Sequence, residues 1–509
     1  MRHALSLPLL LASTVVLHAQ VGHHPGPDAA APGQVGRVSF PTTCGAAAQA
    51  AFERGVALLH SFWYEEAASA FRRARAAEPG CAMAAWGEAM SQLHPLWEPP
   101  TPEATRIGET AAERAVQASR AGTREHGYAK AIATYFLAAD RPGHEERLRR
   151  YEVAMAALAL RQPGDEEARI FHALSLIALG QLDARDTTYA RQRRAGEILK
   201  PLFRRHPDHP GLAHYLIHAY DSPALASNAV AAAERYAAIA PSVPHALHMP
   251  SHIYVRVGRW DDAIAANLRA AEAARTFERR LDLGAVWAER VHAYDYLAYA
   301  YLQQGQQDSA RRIVEEVATV TRIFPENALP GDYALAAIPA RYALERNDWA
   351  AAETLSVRAA PSWRAAEGLT YFARALGAAR RGRLGPAREA LDSLADIEQA
   401  LRQSGGVQIY WAGQVAIQRK AAAAWVAHAA GDSHVALRLA REAADIEDVT
   451  EKHSATPGPL LPARELLADL LLEMGHAAEA RDSYRAVLRR QPGRGRSTSR
   501  AGLAEQGVL

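Results

Sequence analysis

Cysteine occurs only twice in the 509 residues, at Cys44 and Cys81. At most one internal bridge is available. In an oxidising compartment the two would pair; elsewhere they stay free thiols, and their spacing leaves both outcomes open. Neither sits in a context that would activate a nucleophilic thiol. Lysine is nearly absent, with Lys130, Lys200, Lys420 and Lys452 the four examples, so arginine carries the positive charge. The formal net charge is +2 and no basic block stands out, which removes electrostatic support for nucleic-acid binding. Alternating strand-like patterns are hard to find. There is no Gly-rich phosphate loop, no Ser-centred nucleophile elbow and no His-Glu-x-x-His. The paired acids Glu65-Glu66 and Asp261-Asp262 lie at inter-helix turns, where acids ordinarily cap helices or face solvent.

Long apolar runs are missing beyond the first 19 residues. There, Arg2 and His3 precede the apolar stretch Ala4 to Val16, and Leu17-His18-Ala19 forms an acceptable cleavage site before Gln20. This reads as a signal peptide over 1–19 rather than a buried helix. The run is short for a transmembrane span, and no cysteine follows the cleavage point to take a lipid. An exported protein, periplasmic or secreted, with no integral membrane segment after signal removal is the expectation. Residues 20–43 are rich in Gly, Pro, Ala and His and read as a flexible leader.

What is present from Cys44 onward is helical periodicity broken by short turns. With 49% hydrophobic and 22% charged residues, the chain has an ordinary globular composition. Gly55, Ala67, Phe71, Ala74 and Pro79 are separated by 12, 4, 3 and 5 residues. Ala480, Tyr484, Val487 and Pro492 repeat the last three offsets, as do Ala195, Leu199, Leu202, Pro207 and Ala229, Ala233, Tyr236, Pro241. Weaker copies centre on Ala263, Ala310, Ala352, Ala387 and Ala436, and a degenerate one lies near Tyr151 to Pro163. This pattern resembles the tetratricopeptide repeat (TPR). The resemblance implies an all-α TPR-like α-solenoid of about eight to ten helix pairs over 44–492, with a concave groove lined mainly by the first helix of each pair. The Gly/Arg/Ser-rich residues 493–509 read as a disordered tail.

One stretch departs from scaffold composition. His209, His214, His218, His245, His248 and His252 put six of the 21 histidines within 44 residues. His214/His218 and His248/His252 have i,i+4 spacing, which places each pair on one face of a helix. In TPRs, positions 2, 5, 9, 12 and 13 of a repeat tend to face the groove. Carried onto this chain, the resemblance puts His214, His218 and Asp221 there in one repeat. It adds His245, His248, His252 and Arg256 from the next, and His292, Asp295 and Tyr299 from a third. His214, His218, His248 and His252 are the expected ligands of a transition metal; Zn, Cu, Fe and Ni are not distinguished by spacing. Asp221, His245, Arg256, His292, Asp295 and Tyr299 are the expected lining of a ligand-binding groove, Asp221 or Asp295 serving also as an acceptor for an imidazole N–H.

Two prolines complicate the picture. A helix that starts at Pro250 would leave His248 outside it. Pro210-Gly211 marks another start, with Asp208 as N-cap and His209 outside. The His-Pro-Gly-x-Ala-His-Tyr-x-Ile-His pattern at His209–His218, the His-x-x-His-Met-x-Ser-His-Ile pattern at His245–Ile253 and Trp260-Asp261-Asp262 also resemble a group of exported bacterial TPR proteins. That resemblance implies fold and export, not chemistry. Three functions stay open. One is an exported scaffold that binds a protein, peptide or small ligand and holds a metal. The second is a metalloenzyme with the histidines as ligands. The third is a pure scaffold with a hydrogen-bonded histidine network.

Overall fold

The computed structural model describes residues 33–140, 142–360 and 362–506. The expected signal peptide lies outside them. Among the described residues, helices follow one another from Ala46–His60 and Tyr64–Ala77 to Ala463–Glu473 and Ala477–Arg490, most pairs closed by a turn of a few residues. Short links force consecutive helices to run antiparallel and pack together. Small residues set how closely they approach. A Cβ on Gly55 would lie 2.7 Å from the Phe71 ring, and one on Gly87 only 2.3 Å from it. The chain is therefore an all-α, TPR-like α-solenoid. Among the described residues its helices form eleven pairs, one beyond the upper expected number. The extra pair, Ala82–Met90 with Pro102–Ala118, keeps the offsets of 4 and 3 at Gly108, Ala112 and Ala115 but has Arg120 where the stronger copies have Pro, and residues 91–101 lengthen its turn. The regular strands among the described residues are Val286–Trp287 and Ile323–Phe324, paired in parallel with Val286 opposite Ile323. No described helix is long and apolar enough to cross a membrane.

Two expectations change, and one open question closes. Leader residues 20–32 lie outside the description, but from Gly33 the segment packs instead of hanging free. Phe40 is fully buried against Phe52, Trp86 and Tyr128. The tail beyond Pro492 forms the helix Gly495–Gln506. Arg494 is completely buried between Glu465 (2.7 Å) and Glu345 (2.9 Å), and Arg496 reaches Asp469. Low-complexity composition hid this because the acids that fix the tail lie far away in sequence. Finally, Cys44 and Cys81 are joined by a disulfide.

The link between Ser433–Asp448 and Ala463–Glu473 returns to the middle of the array. Glu451 N–H donates to the Ala184 carbonyl, Lys452 reaches Asp221, and Tyr296 donates to the Thr456 carbonyl. The chain thus lays its own segment against the repeats that carry the histidines. A cavity of about 1040 Å³ remains beside it, lined by Trp97, Tyr189, His218, Asp221, Tyr410 and Lys452 among others.

Candidate metal centre

Helix Pro210–Tyr220 starts at Pro210, whose fixed φ suits a first helical position. The N-cap is His209 rather than Asp208: its Nδ1 accepts from Leu212 N–H at 3.3 Å. Its Nε2 then carries the proton and donates to Glu167 at 2.8 Å. The other Glu167 oxygen takes His60 Nε2 at 2.9 Å, and His60 Nδ1 meets the Tyr215 hydroxyl at 3.0 Å. Gly211 makes room for this, since a Cβ there would lie 2.6 Å from His60 Nδ1. Glu167 is held well below the ordinary carboxylate range: burial opposes ionisation, but the His60 and His209 imidazoles beside it outweigh burial. His60, Glu167 and His209 could by geometry take an ion. Every imidazole nitrogen among them already has a hydrogen-bond partner, so this trio is a structural brace.

The brace positions the next histidine. His214 Nδ1 donates to the His60 carbonyl at 2.6 Å, which turns its Nε2 inward. His218, one turn on, places Nε2 3.0 Å from His214 Nε2. His245, in the first turn of Pro244–His248, donates Nδ1–H to Glu289 at 3.2 Å and brings its Nε2 to 3.2 Å from His214 Nε2. His214, His218 and His245 form one set, with ligand atoms within 4.8 Å of one another.

Pro250 does not separate His248 from His252. Met249, between Pro244–His248 and Pro250–Val257, keeps helical dihedrals (φ −54°, ψ −35°), so the two rings remain a turn apart with centroids at 5.0 Å. His248 Nδ1 donates to Asn267 Oδ1 at 2.6 Å; the Asn267 amide nitrogen donates to the Ala263 carbonyl, which fixes the oxygen as the acceptor. His252 Nδ1 donates to Asp221 at 2.9 Å. Both Nε2 atoms therefore lack a proton, yet they face each other at 3.0 Å. His292, from helix Ala288–Gln303, lies 4.4 Å from the His248 ring. It is 1% exposed and neither of its nitrogens has a hydrogen-bond partner. His248, His252 and His292 form a second set within the same 4.8 Å limit.

The electrostatics keep five of these rings, His214, His218, His248, His252 and His292, uncharged. Burial drives His214, His218, His248 and His292 well below the ordinary imidazole value, with neighbouring imidazoles adding to the effect. Burial lowers His252 to about 4 even against the pull of Asp221. Neutral imidazole is the form that binds metal. Asp221 stays ionised despite burial because Lys452 and Arg256 flank it, at 2.9 and 2.8 Å. Burial lowers Lys452 to about 8.

The four histidines expected as one ligand group thus divide between two sets, and His245 and His292, expected in the groove lining, each complete one. Asp221 sits on the outer, Nδ1 side of His252. Arg256 holds Asp221 and reaches Glu451 at 3.2 Å. Asp295 and Tyr299 turn away: Asp295 pairs with the fully buried Arg341 at 3.3 Å, and Tyr299 donates to Gln491. Burial raises the Asp295 pKa. Asn267 and Glu289 were not singled out from sequence. A lone Asn inside an Ala-rich helix, four residues past the anchor Ala263, was the available signal for Asn267.

No protein-family model and no curated protein matches the chain. Solved structures do. The human IFIT1 dimer with m7Gppp-AAAA is 12% identical, covers 92% of this chain and 91% of its own, and has a TM-score of 0.40. The APC/C hetero-tetramer Cut9-Hcn1 is 16% identical over 85% and 78%, with a TM-score of 0.34. Yeast Tom70 is 12% identical over 90% and 95%, also at 0.34. At these identities and TM-scores the likenesses carry no argument about this chain, and the TPR-like architecture rests on the helix pairs themselves.

Proposed function

We propose that this chain is an exported TPR-like scaffold that holds a transition metal on its buried histidines. The observation that carries the reading is the contact between His248 and His252. Asn267 and Asp221 take the Nδ1 protons, so two Nε2 lone pairs oppose each other at 3.0 Å in a buried site with no hydrogen between them. A cation at their focus turns that repulsion into coordination, with His292 as the third ligand. Its two nitrogens, buried without a partner, fit the same account, because an orphaned buried polar group costs roughly 1–3 kcal/mol. Three imidazoles suit Zn, Cu, Ni or Fe. They also leave a coordination position free, as in catalytic rather than structural zinc sites, which keeps a metalloenzyme as the second reading. A pure histidine network is disfavoured by the same contact.

The cavity of about 1040 Å³ that reaches His218 would receive a small ligand or a short peptide segment. The disulfide accords with an oxidising compartment, and so with export. Protein or small-ligand partners fit this surface better than nucleic acid, given the +2 formal charge. The test is elemental analysis of tag-free mature protein, followed by chelation and re-addition of Zn, Cu, Ni and Fe. A stoichiometric metal that is lost in His252→Ala and His292→Ala, with helical content kept, is the expected result. Absence of bound metal, with no thermal shift on re-addition, overturns the proposal.

A further inference from the structure

We infer that His214, His218 and His245 hold a second ion beside the first, so that six imidazoles enclose a two-metal centre bridged by a small anionic oxygen ligand. This rests on the metal reading above and extends it.

The second set repeats the geometry of the first. The His60 carbonyl takes the Nδ1 proton of His214, and Glu289 takes that of His245. Two bare Nε2 atoms then lie 3.2 Å apart. His218 could donate one N–H to His214, but nothing supplies a proton to His245 Nε2. A cation satisfies all three.

The two sets adjoin. His245 and His248 come from one helix, three residues apart, and belong to different sets. Ring centroids across the divide are 6.1 Å for His218–His252 and 6.2 Å for His245–His248, no farther apart than the widest pairs inside the sets, 6.4 Å for His218–His245 and 6.2 Å for His252–His292. Two ions at adjoining foci fall in the regime of two-metal sites, where the ions sit about 3.5–4 Å apart and share a ligand.

The charge balance names that ligand. Six neutral imidazoles bring no negative charge, and the nearest acids, Asp221 and Glu289, are engaged on the Nδ1 side of His252 and His245. Two divalent ions placed together need a compensating anion between them, and hydroxide is the smallest that fits. An all-nitrogen set without a bridging carboxylate disfavours Mg, Ca and Mn. Copper stands highest in affinity among the metals that remain. Exchange is possible because His218 is only half-buried and lines the large cavity.

Copper(II)-loaded full-length mature protein tests this by two measurements, metal per chain and the integrated electron-paramagnetic-resonance signal. Two coppers per chain with a signal far below two spins are expected, because a shared bridge couples the ions. His218→Ala should bind one copper and give one full spin, with the melting curve showing that it folds. Two coppers with two full spins would overturn the shared centre. One copper in the wild type, lost in His252→Ala but not in His218→Ala, would overturn the second ion and leave the metal reading standing. No bound copper, zinc, nickel or iron would overturn both. The wild-type count and spin decide the matter even if His218→Ala does not fold.

Discussion

Asn267 accepts the Nδ1 proton of His248 across 2.6 Å and thereby sets which nitrogen of His248 faces His252. Removing the acceptor frees the ring to rotate or change tautomer. Outer partners of metal-bound histidines are worth about 10–100-fold in affinity. Asn267→Ala should weaken metal binding by about that factor in competition with a chromogenic chelator. Asn267→Asp, which keeps an acceptor, should bind more tightly than Asn267→Ala. Equal affinity in the wild type and Asn267→Ala would show that the contact does not orient the ring.

Asp221 joins three residues of the site: His252, Lys452 and Arg256, the last through both its carboxylate and its backbone carbonyl. Truncating one member of a buried charge group leaves the others uncompensated, at roughly 3–5 kcal/mol. Asp221→Ala should lower stability in urea by about that amount. Lys452→Met should cost less, because Arg256 still balances the carboxylate. A loss under about 1 kcal/mol for Asp221→Ala would mean that water already screens the cluster.

The bridge between Cys44 and Cys81 closes a loop with a sequence separation of 37. A loop of that length restrains the unfolded chain by roughly 3–4 kcal/mol. The double variant Cys44→Ser/Cys81→Ser should unfold at correspondingly lower denaturant. Protein recovered from an oxidising compartment should show no free thiol by titration. Two titratable thiols in the unreduced, denatured protein would refute the bridge.

The C-terminal helix should release in acid. Burial pushes Asp469 upward, but the Arg496 and Arg500 guanidiniums bring it below its ordinary 3.8. A carboxylate whose folded pKa is depressed adds stability above the unfolded value, and that stability is lost as pH falls through 3.8 toward the folded pKa. Hydrogen exchange of the 495–506 backbone should therefore accelerate below about pH 4, ahead of the amides of Ala463–Glu473 in protection lost. Asp469→Asn should show the fast exchange at neutral pH. Uniform loss of protection across both helices would argue that the tail is not a separate unit.

The repeat frame was visible in linear order because TPR packing is set by local spacing: Gly55, Ala67 and Phe71 meet within one helix pair. The i,i+4 pairs His214/His218 and His248/His252 were visible for the same reason, since a helix turn brings them together whatever the rest of the chain does. Groove positions also pointed to His245 and His292. Their assignment to particular sets was not accessible, because it depends on how far each repeat is rotated relative to its neighbour.

Residue order alone therefore settled the class of fold and marked the helical stretch where histidines gather, both consequences of short-range periodicity. Contacts between distant segments decided the rest. Asn267, Glu289 and the His60 carbonyl choose the tautomers, and a hydrogen-bond acceptor 19, 44 or 154 residues away leaves no spacing to read. Arg494 and Arg496 order a tail of disordered composition because Glu465, Glu345 and Asp469 are waiting in other repeats. Four histidines anticipated around one point divide between two sets that His245 and His292 complete, because His214, His245, His248 and His252 are aimed by partners that only the folded array brings within reach.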